Sequence, residues 1–415
     1  MVSEVIGDIS EIDRVIDQRD LLAMFQPLVH LATAQVVGYE AVVTGPAGGP
    51  LAHPGRLLQA AQEVGRRAEF DWVRAALVYR AAASARMHPS MRVFLDIEPD
   101  TLLSTCPEDL LETVHKAQDR LRLVIKLRNQ SLIEHPGRVL AGLSTARRDG
   151  WGVAVDASGT SRRALALLPL VYPDVIKLDL TDWVRGDLAA IARQGREARL
   201  YADTTGATVL AQGLQEPDDI LLARTVGAEY GQGWHFGPPL PLPSTRLIPR
   251  SVFPLIDEPD EDVDATPFEI LSAKYPATVT ERRFLQPVSD YLEDAVSSCG
   301  GTALLLLSYR LRSDMTSKKM TRLVALAGLA GHAAIIGPEC KLPERTPIRR
   351  SVIATNDPMG AEWNVIVLSP HYAGGLSARS LGDTGASEYR RFEYVVTHDR
   401  PAVIQAARSF VRRFG

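Results

Sequence analysis

The chain is poor in cysteine, has no large excess of either charge and lacks a long apolar run. Its three cysteines, Cys106, Cys299 and Cys340, form no C-x-x-C pair, which argues against a disulfide framework and a zinc site. Lys and Arg number 46 against 50 for Asp and Glu, a net charge of -4, so no general phosphate-neutralising surface is expected. The longest apolar stretch, 323–337 (LVALAGLAGHAAIIG), is too short to span a bilayer and reads as a buried helix running into a strand. The first residues, MVSEVIGDISEIDRVIDQRD, offer neither a basic leader nor an apolar core, so no signal peptide and a cytoplasmic location are expected. What remains is ordinary: 46% hydrophobic and 23% charged residues over 415 positions exclude whole-chain disorder and suit two domains.

From 22 to 241, short apolar runs alternate with helical patterns. Strands are expected at 24–29, 36–43, 92–97, 122–127, 151–156, 174–180, 199–203 and 208–213, with helices at 54–66, 69–87, 131–149 and 216–226. The 69–87 pattern places Trp72, Ala76, Val78 and Tyr79 on its apolar face. Nearly all-apolar strands separated by helices predict a parallel sheet covered on both faces, and about eight of them predict a closed α/β barrel. The loop HLATAQ is hairpin-sized, so the first strand pair should be antiparallel, giving a modified (β/α)8 barrel.

After an N-terminal segment (1–21) and the barrel (22–241), residues 242–267 read as a proline-rich linker with an acidic run from Asp257 to Asp264. The glycine and closing glutamate of a calcium loop are absent from it. Residues 268–415 read as a smaller α/β domain: helices at 284–298, 316–331 and 401–413, strands at 302–310, 333–337, 363–370 and 391–397. Turns are expected at Gly300-Gly301 and Gly374-Gly375. Trp363, Tyr309, Phe392 and Tyr394 suit either a planar-ligand pocket or core, with core the ordinary role of strand aromatics. His332 and His398 are expected to be structural, and Cys340 lacks a resolving partner in sequence.

In a β/α barrel, function sits at the C-terminal strand ends. The polar residues there are Glu40, Asp96, Lys126, Asn129, Asp156, Lys177, Asp179, Gln212 and Gln215, with Gln232 in the last loop. Their carboxylates are hard oxygen donors of the kind Mg2+ or Mn2+ prefers. Any one of them alone is better explained as a structural ion pair; the constellation is more specific.

The motifs FQP (25–27), GYEAVV (38–43), VFLDIEP (93–99), VAVDASGT (153–160), PDVIKLD (173–179), LAQGLQE (210–216) and GQGWHFGPPLP (231–241) resemble, in order, those of the EAL family. The resemblance implies a barrel phosphodiesterase fold that opens cyclic di-GMP to pGpG through two metal ions. Glu40, Asp156, Lys177, Asp179 and Gln232 match the family pattern. Asp96 stands for a metal-binding asparagine, Lys126 for a metal-binding glutamate and Ala157 for the second of two aspartates. Gln212 and Gln215 stand for glutamates, Asn129 for an acidic residue, and Thr44 for a phosphate-gripping arginine. A protonated lysine cannot ligate a divalent ion and repels it. The rim becomes about four charges less negative, which two neighbouring dications would not tolerate.

The resemblance therefore implies a degenerate site. Lys177 and Asp179 are vestiges of catalysis, and no cofactor is expected beyond at most one weak Mg or Mn ion at Glu40, Asp96 and Asp156. Gln26, Glu40, Lys126, Lys177 and Gln232 are the candidate residues for binding cyclic di-GMP. Residues 284–295 (FLQPVSDYLEDA), 334–338 (AIIGP), 362–370 (EWNVIVLSP) and 390–399 (RRFEYVVTHD) resemble the DICT domain, a sensory module. The combined reading is a non-catalytic signalling protein with a protein partner (a regulator or a cyclase) or a homodimer contact, without direct DNA or membrane binding. Slow metal-dependent hydrolysis to pGpG and a nucleotide-independent scaffold are the alternatives.

Overall fold

The computed structural model describes residues 11–118, 121–156, 162–181, 188–242, 253–256, 264–299, 301–311, 314–338, 346–354 and 356–414. The chain forms two compact units. One comprises Met1–Asn129, Ala141–Ser158 and Pro173–Asp257; the other comprises Gln130–Leu140, Gly159–Tyr172 and Glu258–Gly415.

In the first unit, strands β1 (Leu22–His30), β2 (Gln35–Thr44), β3 (Arg92–Asp96), β4 (Arg122–Leu127), β5 (Gly152–Asp156), β6 (Val175–Asp179), β7 (Thr208–Gln212) and β8 (Tyr230–Gly231) close into a barrel. Strand β1 runs antiparallel to both neighbours, β2 and β8, and the other pairings are parallel. The expected fold class, with its antiparallel first pair, is the one observed. Because side chains alternate across a strand, the residues two positions before the rim also face inward. Phe94, Val124, Ala154, Val175, Leu210 and Tyr230 form one interior cluster with Leu28, Val37 and Phe253.

Three expectations need correction. Residues 199–203 are the end of the helix Leu188–Thr205, not a strand. Ala198, Tyr201 and Ala202 are buried while Arg199 and Asp203 pair in solvent at 2.8 Å, a helical rather than alternating pattern. The missing strand is β8, two residues long, whose Gly231 carries no strand signal. The expected helix at 131–149 is interrupted: it breaks between Asn129–Glu134 and Pro136–Arg148 at a proline. The expected linker is also not wholly outside the barrel, since Phe253 is fully buried in its interior.

The second unit holds a sheet ordered β12-β11-β10-β13-β14-β15-β9. Its strands are β9 (Thr278–Glu281), β10 (Leu304–Ser308), β11 (His332–Ile336), β12 (Ile348–Ser351), β13 (Glu362–Leu368), β14 (Ala373–Ser380) and β15 (Arg391–Thr397). β10, β11 and β12 are parallel; the rest pair antiparallel. Gly374-Gly375 is not a turn but lies within β14. A side chain at Gly374 would come within 2.6 Å of the Tyr372 hydroxyl and 2.9 Å of Leu292, so close packing explains the glycine. Trp363, Tyr309 and Phe392 are core residues, with Tyr394 packed against them. His332 is buried, which pushes its imidazole down to about 4. His398 contacts the Ala373 carbonyl at 2.8 Å. Ala157, Gly300 and Cys340 lie outside the described residues.

Candidate functional site

Strand register gathers the rim. Gln26 faces Glu40, Asp96 faces Lys126, Asp156 faces Lys177, and Asp179 faces Gln212 across neighbouring strands. At the centre is Glu40. Lys126 Nζ donates to its Oε1 at 2.8 Å, and Lys177 Nζ donates to its Oε2 at 2.7 Å. The network continues as Lys177 Nζ donates to Gln232 Oε1 at 3.3 Å, Gln232 Nε2 to Gln26 Oε1 at 2.8 Å, and Gln26 Nε2 to the Gly237 carbonyl at 3.2 Å. All five ligand-binding candidates, Gln26, Glu40, Lys126, Lys177 and Gln232, therefore lie in one connected cluster.

The electrostatics follow from burial and pairing. Burial pushes the Glu40 carboxyl up, but the Lys177 and then the Lys126 ammonium groups outweigh it and hold it well below the usual carboxylate range. The Glu40 charge is the main cause that raises Lys126, with Asp96 and Asp156 adding to it against burial. Lys177 is completely buried, and desolvation pulls it down despite the Glu40 charge, with Lys126 adding to the fall. Lys126 thus sits where the fields of three carboxylates meet.

Asp179 is held elsewhere. It accepts from Gln212 Nε2 at 3.0 Å and from the Thr181 backbone N–H at 2.8 Å and hydroxyl at 2.5 Å. The glutamine expected to weaken a metal site instead restrains this carboxylate. Gln215 is exposed, with its N–H on Asp219, and takes no part in the cluster. Asp96 has a buried Oδ1 without a hydrogen-bond partner, and its carbonyl accepts from Arg74 Nη1 at 2.8 Å. Arg74 is held in turn by the buried Asp71 at 2.8 Å, which also receives the Glu98 N–H and the Thr101 hydroxyl. Sequence reading missed this support because a helix aspartate carries no signal of its role.

A divalent ion does not fit this donor set. Both oxygens of Glu40 are occupied by ammonium groups. Among the described residues, no three His, Cys, Asp or Glu side chains are placed to share a metal ion. Of the three expected ligands, Glu40 has both oxygens on ammonium groups, and the charges of all three raise Lys126.

The EAL domain family model matches residues 9–239. Uncharacterized protein Rv1357c of Mycobacterium tuberculosis is 26% identical over 239 residues, covering 55% of this chain and 78% of that protein. Probable cyclic di-GMP phosphodiesterase PdeB of Escherichia coli is 24% identical over 231 residues, covering 54% of this chain and 44% of that protein. Among solved structures, the EAL enzyme Bd1971 with cAMP and cyclic di-GMP bound is similar in fold, with a TM-score of 0.50 at 16% identity. That match covers 58% of this chain and 68% of the other. Among the described residues, no helix is long and apolar enough to cross a membrane.

Proposed function

The chain belongs to the EAL family, and from that premise we propose that its barrel signals by binding cyclic di-GMP without hydrolysing it. The second unit would act as a DICT-like sensor in a regulatory protein of the cytoplasm. The observation that carries this reading is the ion-pair cluster: the two oxygens of Glu40 are bound to Lys126 and Lys177, at 2.8 and 2.7 Å.

Two-metal hydrolysis needs clustered anionic donors that hold dications, activate a water and stabilise the leaving oxygen. Here the same place holds two ammonium groups on Glu40, which supports binding without hydrolysis. Binding has a physical basis. A phosphodiester carries one negative charge, and Lys126, whose side chain is 23% exposed, has Glu40 as its hydrogen-bond partner at the rim. Its remaining N–H donors can serve a phosphate oxygen as a fixed point charge. Gln26 and Gln232 supply the neutral amides that orient the ligand. Signal output then requires a protein partner, such as a regulator or a cyclase, or a second copy of the chain, that distinguishes liganded from free barrel.

Calorimetric titration of the full chain with cyclic di-GMP, in Mg2+ and again in EDTA, tests the reading, with chromatography for pGpG alongside. Equal binding in both buffers with no pGpG is the expected result. Metal-dependent formation of pGpG, or silence in both buffers, overturns it.

A further inference from the structure

The rim has a floor, and one piece of that floor comes from outside the barrel strands. Phe94, Val124, Ala154, Val175, Leu210 and Tyr230 each sit two positions before a rim residue: Asp96, Lys126, Asp156, Lys177, Gln212 and Gln232. All six belong to the interior cluster completed by Phe253. The Phe253 ring lies 4.4 Å from that of Tyr230 and 5.6 Å from that of Phe94, centroid to centroid. It is fully buried although it follows the last strand by some twenty residues in a proline-rich stretch.

The seat is built. Ile256 N–H donates to Asp174 Oδ1 at 2.5 Å, while Val153 N–H and Arg147 Nη1 each donate to Asp174 Oδ2 at 2.6 Å. Asp174 has no exposed side-chain surface and stands three residues before Lys177. Its carbonyl receives the Thr208 N–H at 2.8 Å, tying in β7. Gly152 admits the neighbouring Leu255, whose Cδ2 would lie only 2.6 Å from a Cβ at that position. A solvated linker would need none of these.

We infer that Phe253 is a positioning residue for the rim: seated, it supports the Lys177 and Lys126 side chains on Glu40. The segment that leaves the barrel is thereby a control point for the ligand site. The functional consequence rests on the ligand-binding reading above; the geometry does not. Interiors are close-packed, so removing the ring leaves a void in the cluster that holds Val175, two residues before the buried stem of Lys177. A void that admits water or lets the stem drop changes that burial and the Glu40 pairing together. Any event that draws residues 253–256 from their seat has the same effect, which is how a signal arriving through the chain beyond would reach the rim.

The test uses the full chain labelled with 15N-lysine, wild type and the series Phe253→Leu, Phe253→Val and Phe253→Ala. The rim ammonium resonances are read alongside a thermal melt and the cyclic di-GMP affinity. The expected result is a lysine shift that grows as the side chain shrinks, near zero for Phe253→Leu. Affinity should fall roughly tenfold in Phe253→Ala, the size of an ordinary coupling between sites. A merely structural role would lower the melting temperature and leave the resonances in place, and that outcome overturns the inference. If Phe253→Ala does not fold, Phe253→Val decides by the same criterion. If the wild type binds no cyclic di-GMP, the ligand reading fails, while the lysine resonances still decide the role of Phe253.

Discussion

The barrel draws one carboxylate largely out of solvent and the seven-stranded sheet buries another, and they satisfy them in opposite ways. Glu40 lies between two ammonium groups. Glu362, on β13 and 2% exposed, meets neutral donors: the Phe268 N–H at 3.3 Å, Asn364 Nδ2 at 3.0 Å and the Thr266 side chain. The first arrangement holds its carboxyl below the usual range; in the second, burial dominates and pushes the carboxyl up. Glu362 caps the first turn of the helix Pro267–Lys274 and so fixes that helix to the sheet. A buried charge with counter-charges at strand ends has the makings of a ligand site. One with neutral donors in mid-fold specifies packing.

The sharpest way to break this contrast is to remove the anion from the barrel cluster. Glu40→Gln leaves Lys177 wholly buried without its carboxylate. The expected loss is about 3–5 kcal/mol, as for breaking one side of a buried ion pair. Urea unfolding followed by hydrogen exchange in β2, β4 and β6 measures it. A loss below about 1 kcal/mol would mean that the cluster is solvated like an ordinary surface pair.

That cluster was only partly legible in the sequence. The strand ends and their polar residues follow from apolar runs and motif order, so Glu40, Lys126 and Lys177 could be named. Their pairing could not, because the partners are 86 and 137 residues apart and register alone brings them together. Phe253 was hidden by its surroundings: proline and clustered acids signal a linker, and one aromatic among them gives no period. Arg199–Asp203 was misread because RLYAD is short enough to suit either strand or helix. In the sheet, β14 was missed since glycine and serine carry little strand propensity, and the close approach of Tyr372 that demands Gly374 is a tertiary fact.

A smaller effect is expected in the second unit. Ser308, Asn364 and Ser377 form a buried polar row across β10, β13 and β14. Asn364 Nδ2 donates to Ser308 Oγ at 3.0 Å, and the Ser377 hydroxyl donates to Asn364 Oδ1. Asn364→Ala strips partners from both serines and from Glu362. The cost should be about 2–3 kcal/mol, the penalty for leaving buried polar groups unpaired. Chemical denaturation monitored in the second unit checks this, and rim ligand affinity should stay at the wild-type value.

The smallest change separates the two carboxylates by pH. Folding raises Glu362 above its ordinary value of 4.5, so the folded unit holds that proton more tightly than the unfolded chain. Its contribution is greatest below the ordinary value and declines as pH rises from there through the raised folded value. Glu40 runs the other way: its contribution is present above the unfolded value and is lost as pH falls toward its depressed folded value. Glu362→Gln keeps an oxygen for the Phe268 and Asn364 donors and turns an amide toward the Thr266 hydroxyl. At neutral pH it should therefore lie within about 1 kcal/mol of wild type. Hydrogen exchange across pH 4.5–7.5 should show the helix Pro267–Lys274 losing protection with rising pH in the wild type and not in Glu362→Gln. The barrel strands should show no such decline in either protein. An unchanged pH profile in the variant would mean that Glu362 is ionised at no cost, and that its neutral donors serve it as well as the two lysines serve Glu40.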